Sequence, residues 1–208
     1  MLLQDLRPAR KDSPTVRLMS NAAGPFVRKS YRHCPLYLRE TVGRMAVNRE
    51  CRALECLKSS GHAPEFLARP DRFTVEMEYV EGTPLESLQQ HQYDPELLHQ
   101  QAVSLLRALE QADLAHGDLG HDHWQSMGRE SNLIWTPDQR LVAIDFSGSV
   151  PLKPKFAPAK KFCLALHHHD RLLLSKVAYH FHQDRLGQPE QVRWPTGLWE
   201  LLRLMGKI

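Results

Sequence analysis

Three short runs decide how this chain is read: His116-Gly-Asp-Leu119, Asn132-Leu-Ile-Trp135 and Ala143-Ile-Asp145-Phe-Ser-Gly148. Between the second and third lies Thr136-Pro-Asp-Gln139, flanked by the largely apolar Leu133–Trp135 and Arg140–Ile144, so residues 133 to 144 read as a β-hairpin. Folding the hairpin about its turn brings Asn132 and Asp145 together at its open end, since their distances from the turn differ by only about two residues. An amide oxygen and a carboxylate are hard ligands, the kind Mg²⁺ takes while keeping waters for a substrate phosphate. Asp118 is a third acid, suited to orienting a hydroxyl nucleophile. The apolar strand Val142-Ala-Ile144 has no packing need for the acid that follows it, which argues for chemistry rather than an ordinary surface ribbon.

Upstream, Thr15 to Tyr31 is two short alternating runs around a Gly24-Pro25 turn, a hairpin signal. With a single glycine the turn is not a full glycine-rich phosphate loop. Residues 38 to 59 read as a helix with Val42, Ala46, Ala53, Leu54 and Leu57 on one stripe. Glu50 falls inside that stripe. A carboxylate facing a core needs a cation, and Lys29 on the preceding strand is placed to reach it; a partly exposed edge position is the plainer alternative. Glu65 to Pro70 leads into a further strand over 72–80, and Glu81-Gly82-Thr83-Pro84 breaks the pattern, as a hinge between a sheet-rich and a helical lobe would. Asp94-Pro95-Glu96 then opens a helix with a capping acid, a proline in the first turn and a carboxylate near the positive dipole end.

Downstream, Val150 to Lys161 holds three prolines and four lysines and reads as too proline-rich for a helix. A helix follows over about 164–183, with Leu166, Leu173, Leu174, Val177 and Phe181 on one face and Asp170 on that same face, again an acid in need of donors. His167-His-His169 does not read as a zinc site, because consecutive helical residues point about 100° apart. Residues 188–208, with Trp194 and Trp199, read as a final amphipathic helix, and residues 1–14 as a loose arm.

The 208 residues suffice for one domain or two small joined lobes. A net charge of +3 is too mild to imply nucleic acid as the main partner. The basic clusters Arg28, Lys29, Arg32, Arg39 and Lys153, Lys155, Lys160, Lys161 suit an anionic ligand or a solvated surface. No Cys-x-x-Cys pair joins Cys34, Cys51, Cys56 and Cys163, which suggests a reducing compartment. The N-terminal apolar run is too short for a signal peptide, and no window approaches the ~20 apolar residues that span a bilayer. The expectation is a cytoplasmic protein, with peripheral contact at the inner membrane surface as an extension of it.

Taken together, the motifs resemble those of protein-kinase-like phosphotransferases, and among these the small atypical bacterial kinases of the lipopolysaccharide-core sugar kinase and RIO-type group. His116-Gly-Asp118-Leu is similar to the catalytic loop, Asn132 to its metal-binding asparagine, Asp145-Phe-Ser-Gly to the Asp-Phe-Gly motif, Val27-Arg-Lys29 to the phosphate-contacting lysine strand and Glu50 to its helix partner. Glu76-Met77-Glu78-Tyr79-Val80 resembles the hinge that receives adenine. The resemblance implies an α+β, two-lobed protein-kinase-like fold: an N-lobe over 15–81 with a small antiparallel sheet and one helix, and a reduced, mainly helical C-lobe over 82–208. It implies ATP and Mg²⁺ as cofactors, with Lys29, Gly24, Met77, Glu78, Tyr79 and Val80 toward the nucleotide and Asn132 and Asp145 on the metal. Asp118 would be the catalytic base, with Lys29 and Glu50 catalytic beside it and His116 and Asp170 as structural support.

Asp118 and Asn132 stand further apart than the family pattern, so His123, nearer to Asp118, is an alternative to Asn132 for the metal. Ser147 replaces the motif's glycine. The implied activity is transfer of the γ-phosphate to a hydroxyl of a lipopolysaccharide-core sugar or of a protein serine or threonine; the alternative is a pseudokinase acting as a nucleotide-binding or scaffold module.

Overall fold

The computed structural model describes residues 1–120, 131–153 and 157–181. Its first part is a five-stranded antiparallel sheet in the order β1-β2-β3-β5-β4, built from β1 (Leu2–Arg7), β2 (Thr15–Asn21), β3 (Gly24–Ser30), β4 (Phe66–Asp71) and β5 (Thr74–Glu78). The β2–β3 hairpin closes through a tight turn in which Asn21 Oδ1 accepts from the Ala23 N–H at 2.8 Å and Gly24 takes φ 124°, a conformation that favours glycine.

Two sequence readings are corrected here. Residues 2–7 are not a loose arm: every side chain of β1 is exposed, but β2 offers it an open edge and the strand pairs there. Residues 66–71 are a strand in their own right rather than a lead-in, the far side of a hairpin with β5.

A helix crosses behind the sheet in three parts: a first turn α1 (Leu36–Leu38), a π-helical turn over Arg39–Gly43, and α2 (Arg44–Leu57). The wide turn shifts the helical phase, so Val42, expected on the buried stripe, is 49% exposed. From Ala46 onward the stripe holds, with Ala46, Val47, Glu50, Cys51, Ala53, Leu54 and Leu57 buried. Gly43 lets the helix approach the sheet, since a Cβ there would sit 2.8 Å from Tyr31 Cβ.

Beyond the hinge, β6 (Thr83–Pro84), β8 (Leu133–Trp135) and β9 (Leu141–Ala143) form a small sheet, and β7 (Leu114–Ala115) pairs with β10 (Val150–Pro151). The β8–β9 hairpin has the expected register, Leu133 facing Ala143. Helix α3 (Pro95–Gln111) starts as its sequence dictates, with Asp94 accepting from Glu96 N–H at 2.8 Å. Helix α4 (Ala157–Phe181) begins earlier than expected, inside the proline-rich stretch. Pro158 sits in its first turn, where a missing N–H costs no helical hydrogen bond. The expected helix over 188–208 lies outside the described residues.

The lobes share one core, running from Val47 and Leu54 through Leu98 and Leu105 to Leu133, Phe146 and Leu173. A buried histidine stitches them. His62, just after α2, places Nδ1 2.8 Å from the Leu141 carbonyl and Nε2 2.7 Å from Ser104 Oγ, while its own carbonyl accepts from Ala143 N–H at 2.9 Å. Burial lowers its pKa. No described helix is long and apolar enough to cross a membrane.

Candidate functional site

The alternation of β3 sends Arg28 to the sheet's outer face and Val27 and Lys29 inward. Lys29 Nζ lies 3.1 and 3.0 Å from the two Glu50 carboxylate oxygens and 2.6 Å from Asp145 Oδ1. Its side chain is 4% exposed and that of Glu50 1%. The acid inside the apolar helix stripe therefore meets its cation as expected, and one ammonium serves two carboxylates.

Burial favours the neutral form of Lys29, but the charges of Asp145 and Glu50 outweigh it and raise the pKa above the usual lysine value. For Asp145 burial opposes ionisation, yet Lys29 and the Ser147 hydroxyl hold the carboxyl well below the ordinary range. Glu50 goes the other way: burial pushes it up to about 7 against the pull of Lys29 and of the Phe146 N–H, which donates to it. Asp145 therefore keeps its charge more firmly than Glu50.

Asp145 leaves the end of β9 with φ 60°, left-handed and uncommon for a non-glycine residue. Ser147 holds it there, its Oγ donating to Asp145 Oδ1 at 2.6 Å. Phe146 is fully buried and packs edge-on against His116, ring centroids 4.6 Å apart.

The catalytic-loop candidate is fastened from three sides. Asp170, buried in α4, accepts from His116 N–H at 2.7 Å and from Gly117 N–H at 2.9 Å. His116 Nε2 lies 2.9 Å from the Ile144 carbonyl, and its Nδ1 accepts from Asp118 N–H at 3.3 Å. A neutral ring with its proton on Nε2 satisfies both contacts. Asn132 Nδ2 donates to the Asp118 carbonyl at 2.6 Å, and Asn132 also pairs with Ile144 across the hairpin end. The structure therefore ties Asp118 to Asn132 in spite of the long gap between them. His123 falls outside the described residues.

A cleft of about 260 Å³ runs between the lobes. Lys29, Glu50, Asn132 and Asp145 line one part of it, and Met77, Glu78, Tyr79 and Val80 line another, so the metal, lysine and hinge candidates share one cavity. Gly24 does not. It sits at the far end of β3, about 17 Å along the strand from Lys29. Its place in the cleft wall is taken by Leu6 and Arg7 of β1 with Val16 of β2, residues that the sequence reading left out. By strand order the connection between β1 and β2, residues 8–14, and not the turn at Gly24, is the one that adjoins this wall, although none of its own residues lines the cleft.

The donor set suits a magnesium ion held jointly with a phosphate. With Asn132 Nδ2 spent on Asp118, the amide oxygen is left as the acceptor, and the hydrogen bonds that Lys29 and Ser147 donate to Asp145 fall on Oδ1. Among the described residues no cluster of three or more His, Cys, Asp or Glu is arranged to hold a metal by itself, and Mg²⁺ bound through one or two protein oxygens and substrate phosphates needs none.

A family model for the RIO domain matches residues 27–160, which include Lys29, Glu50, Asp118, Asn132 and Asp145. A comparison with curated proteins finds no match. Among solved structures the chain is similar to the Rio2 kinase from Chaetomium thermophilum in its ADP/Mg²⁺-phosphoaspartate complex, with a TM-score of 0.58 and 18% identity over 93% of this chain and 59% of that one. It is similar also to a second structure of that kinase, with a TM-score of 0.58 and 19% identity over 93% and 61%. At such identity the likeness is one of fold: the α+β, two-lobed kinase-like architecture. The chain spans about three fifths of those relatives. The family match extends over well more than half of the sequence, and this chain belongs to the RIO domain family.

Proposed function

We propose that this protein is an ATP- and Mg²⁺-dependent phosphotransferase that moves the γ-phosphate to a hydroxyl. The observation that carries the reading is the buried Lys29, bonded at once to Glu50 and Asp145 in a cleft that Asn132 also lines. Such a site places a fixed positive charge where a polyphosphate binds and two oxygen ligands beside it. The hinge residues Met77–Val80 line the same cleft as Lys29 and would receive the base. Lys29 binds the phosphates and Glu50 keeps it aimed. Asn132 and Asp145 would hold Mg²⁺, which when bound neutralises phosphate charge and fixes its orientation. Asp118 accepts the proton of the attacking hydroxyl.

As acceptor we favour an anionic sugar of the lipopolysaccharide-core type, with a protein serine or threonine second. The similar Rio2 kinase was crystallised with phosphoaspartate, so phosphate on a carboxylate of this chain is an outcome to score as well.

The test is binding and transfer with purified protein. ATP should bind in the presence of Mg²⁺ and label an acceptor or the protein itself. Asp118→Asn should lower transfer by about a hundredfold or more while leaving nucleotide affinity nearly unchanged. A protein that binds no nucleotide refutes the reading. One that binds ATP but transfers nothing, to itself included, is a nucleotide-binding module, and a hydroxylamine-labile label would replace the hydroxyl by a carboxylate acceptor.

A further inference from the structure

A kinase-like cleft ordinarily wraps the nucleotide's phosphates with the main-chain N–H groups of a glycine-rich turn between its first two strands. Here that connection is Pro8-Ala-Arg-Lys-Asp-Ser-Pro14. It has no glycine, and its two prolines have no N–H to give. Its backbone is also engaged elsewhere: His33 Nε2 donates to the Arg10 carbonyl at 2.8 Å, and the Cys34 thiol lies 3.5 Å from the Ser13 carbonyl. Ala9 and His33 line a concavity on the sheet's outer face with Arg17 and Arg28. The connection thus leans toward the outer face, not over the phosphates.

The register of β1 against β2 supplies something in exchange. Asp5 faces Arg17 and the two form an ion pair on the outer face at 2.9 Å. In a regular strand Arg7, two residues on, would point to that same face. Instead the register shifts between Asp5 and Arg7, so that Leu6 and Arg7 together stand opposite the single residue Val16. A bulge of this kind re-aims a side chain, and both Leu6 and Arg7 line the inner cleft with Lys29, Asn132 and Asp145. Arg7 forms no ion pair or hydrogen bond of its own side chain among the described residues, whereas Lys29 is shared between two acids. Its charge nonetheless reaches the Asp145 carboxylate.

We infer that Arg7 is a second phosphate-binding cation, turned into the cleft by the β1 bulge, whose guanidinium replaces the main-chain cradle that the glycine-free 8–14 connection does not provide. This role deepens the nucleotide-binding reading above and rests on it. A guanidinium offers paired donors that match two phosphate oxygens, so the contact serves a di- or triphosphate and is of no use to a nucleoside.

The experiment is a calorimetric titration of the full chain with ATP, ADP and adenosine in Mg²⁺ buffer, for wild type, Arg7→Ala, Arg7→Lys and Arg17→Ala. Arg7→Ala should weaken ATP and ADP by about tenfold or more and leave adenosine unchanged. Arg7→Lys should recover part of the loss, and Arg17→Ala, on the opposite face of the same hairpin, should match wild type. Equal ATP affinity in wild type and Arg7→Ala overturns the role of Arg7 and spares the nucleotide reading, as does a loss that extends equally to adenosine. Wild-type protein that binds none of the three ligands overturns both.

Discussion

Asp170 accepts hydrogen bonds from the backbone N–H groups of both His116 and Gly117, so a side chain more than fifty residues downstream sets the shape of the loop that carries Asp118. Replacing it with alanine leaves two buried N–H groups without that acceptor, at a cost of about 2–4 kcal/mol. Asp170→Ala should lower stability by that amount in urea titrations and slow transfer by roughly a hundredfold through misplacement of Asp118. Asp170→Asn keeps one acceptor oxygen and should recover part of both losses. A variant that is destabilised yet fully active would detach Asp170 from the loop's function.

Lys29 and Glu50 should behave as a coupled pair. Lys29→Met strands two carboxylates, one of them fully buried, and should cost about 3 kcal/mol. In a Glu50→Gln background the same change should cost less, with an interaction energy of about 1–3 kcal/mol in a double-mutant cycle read by denaturant unfolding. Additive losses would show that the pair stores no energy.

Stability should vary with pH in a direction set by Glu50. Its folded pKa, about 7, lies above the ordinary 4.5, so its contribution is fully present below pH 4.5 and is lost as the pH rises through about 7. Asp145 runs the opposite way, contributing above its ordinary value and losing that contribution as the pH falls toward its depressed folded pKa. Lys29, raised, contributes below its ordinary value and loses only at strongly alkaline pH. Between pH 4.5 and 7 wild type should therefore lose about 2 kcal/mol relative to Glu50→Gln. Parallel stability curves for the two proteins across that window would sink the assignment.

Gly82 should resist substitution. A Cβ there would stand 2.5 Å from both Ile134 Cγ2 and the Trp135 carbonyl oxygen, and backbone cannot yield as a side-chain tip does. Gly82→Ala should cost about 2 kcal/mol or more and part β6 from β8, lowering the melting temperature. At Gly24 a Cβ meets nothing within 4 Å, so Gly24→Ala should cost only the backbone strain of its positive φ, about 1 kcal/mol, with nucleotide affinity unchanged. A loss of nucleotide affinity in Gly24→Ala would return that turn to the site.

The site residues legible in the chain are those where a local pattern contradicts itself. Glu50 interrupts an apolar helix stripe and Asp170 another, and each turns out to be buried against the partner its charge requires. Asp145 follows an apolar strand, and the turn at 136–139 alone sets its neighbour Asn132. Such contradictions are local, and chemistry is what sustains them. His62 gives no such sign: one histidine between a glycine and an alanine says nothing until Leu141 and Ser104 are seen around it.

By itself the sequence determined the hairpin that joins Asn132 to Asp145, the capped start of α3, the helix bearing Glu50 and the acids that had to find partners, because periods of two and of about 3.6 residues and cap chemistry act over a few neighbouring positions. Tertiary structure alone decided that residues 2–7 form an edge strand, that Leu6 and Arg7 rather than Gly24 stand at the cleft, and that Arg7 points inward. Those outcomes rest on strand order and on one shifted register between β1 and β2. A slip of one residue exchanges the two faces of a strand, and no local pattern in Met1–Arg7 records which face was chosen.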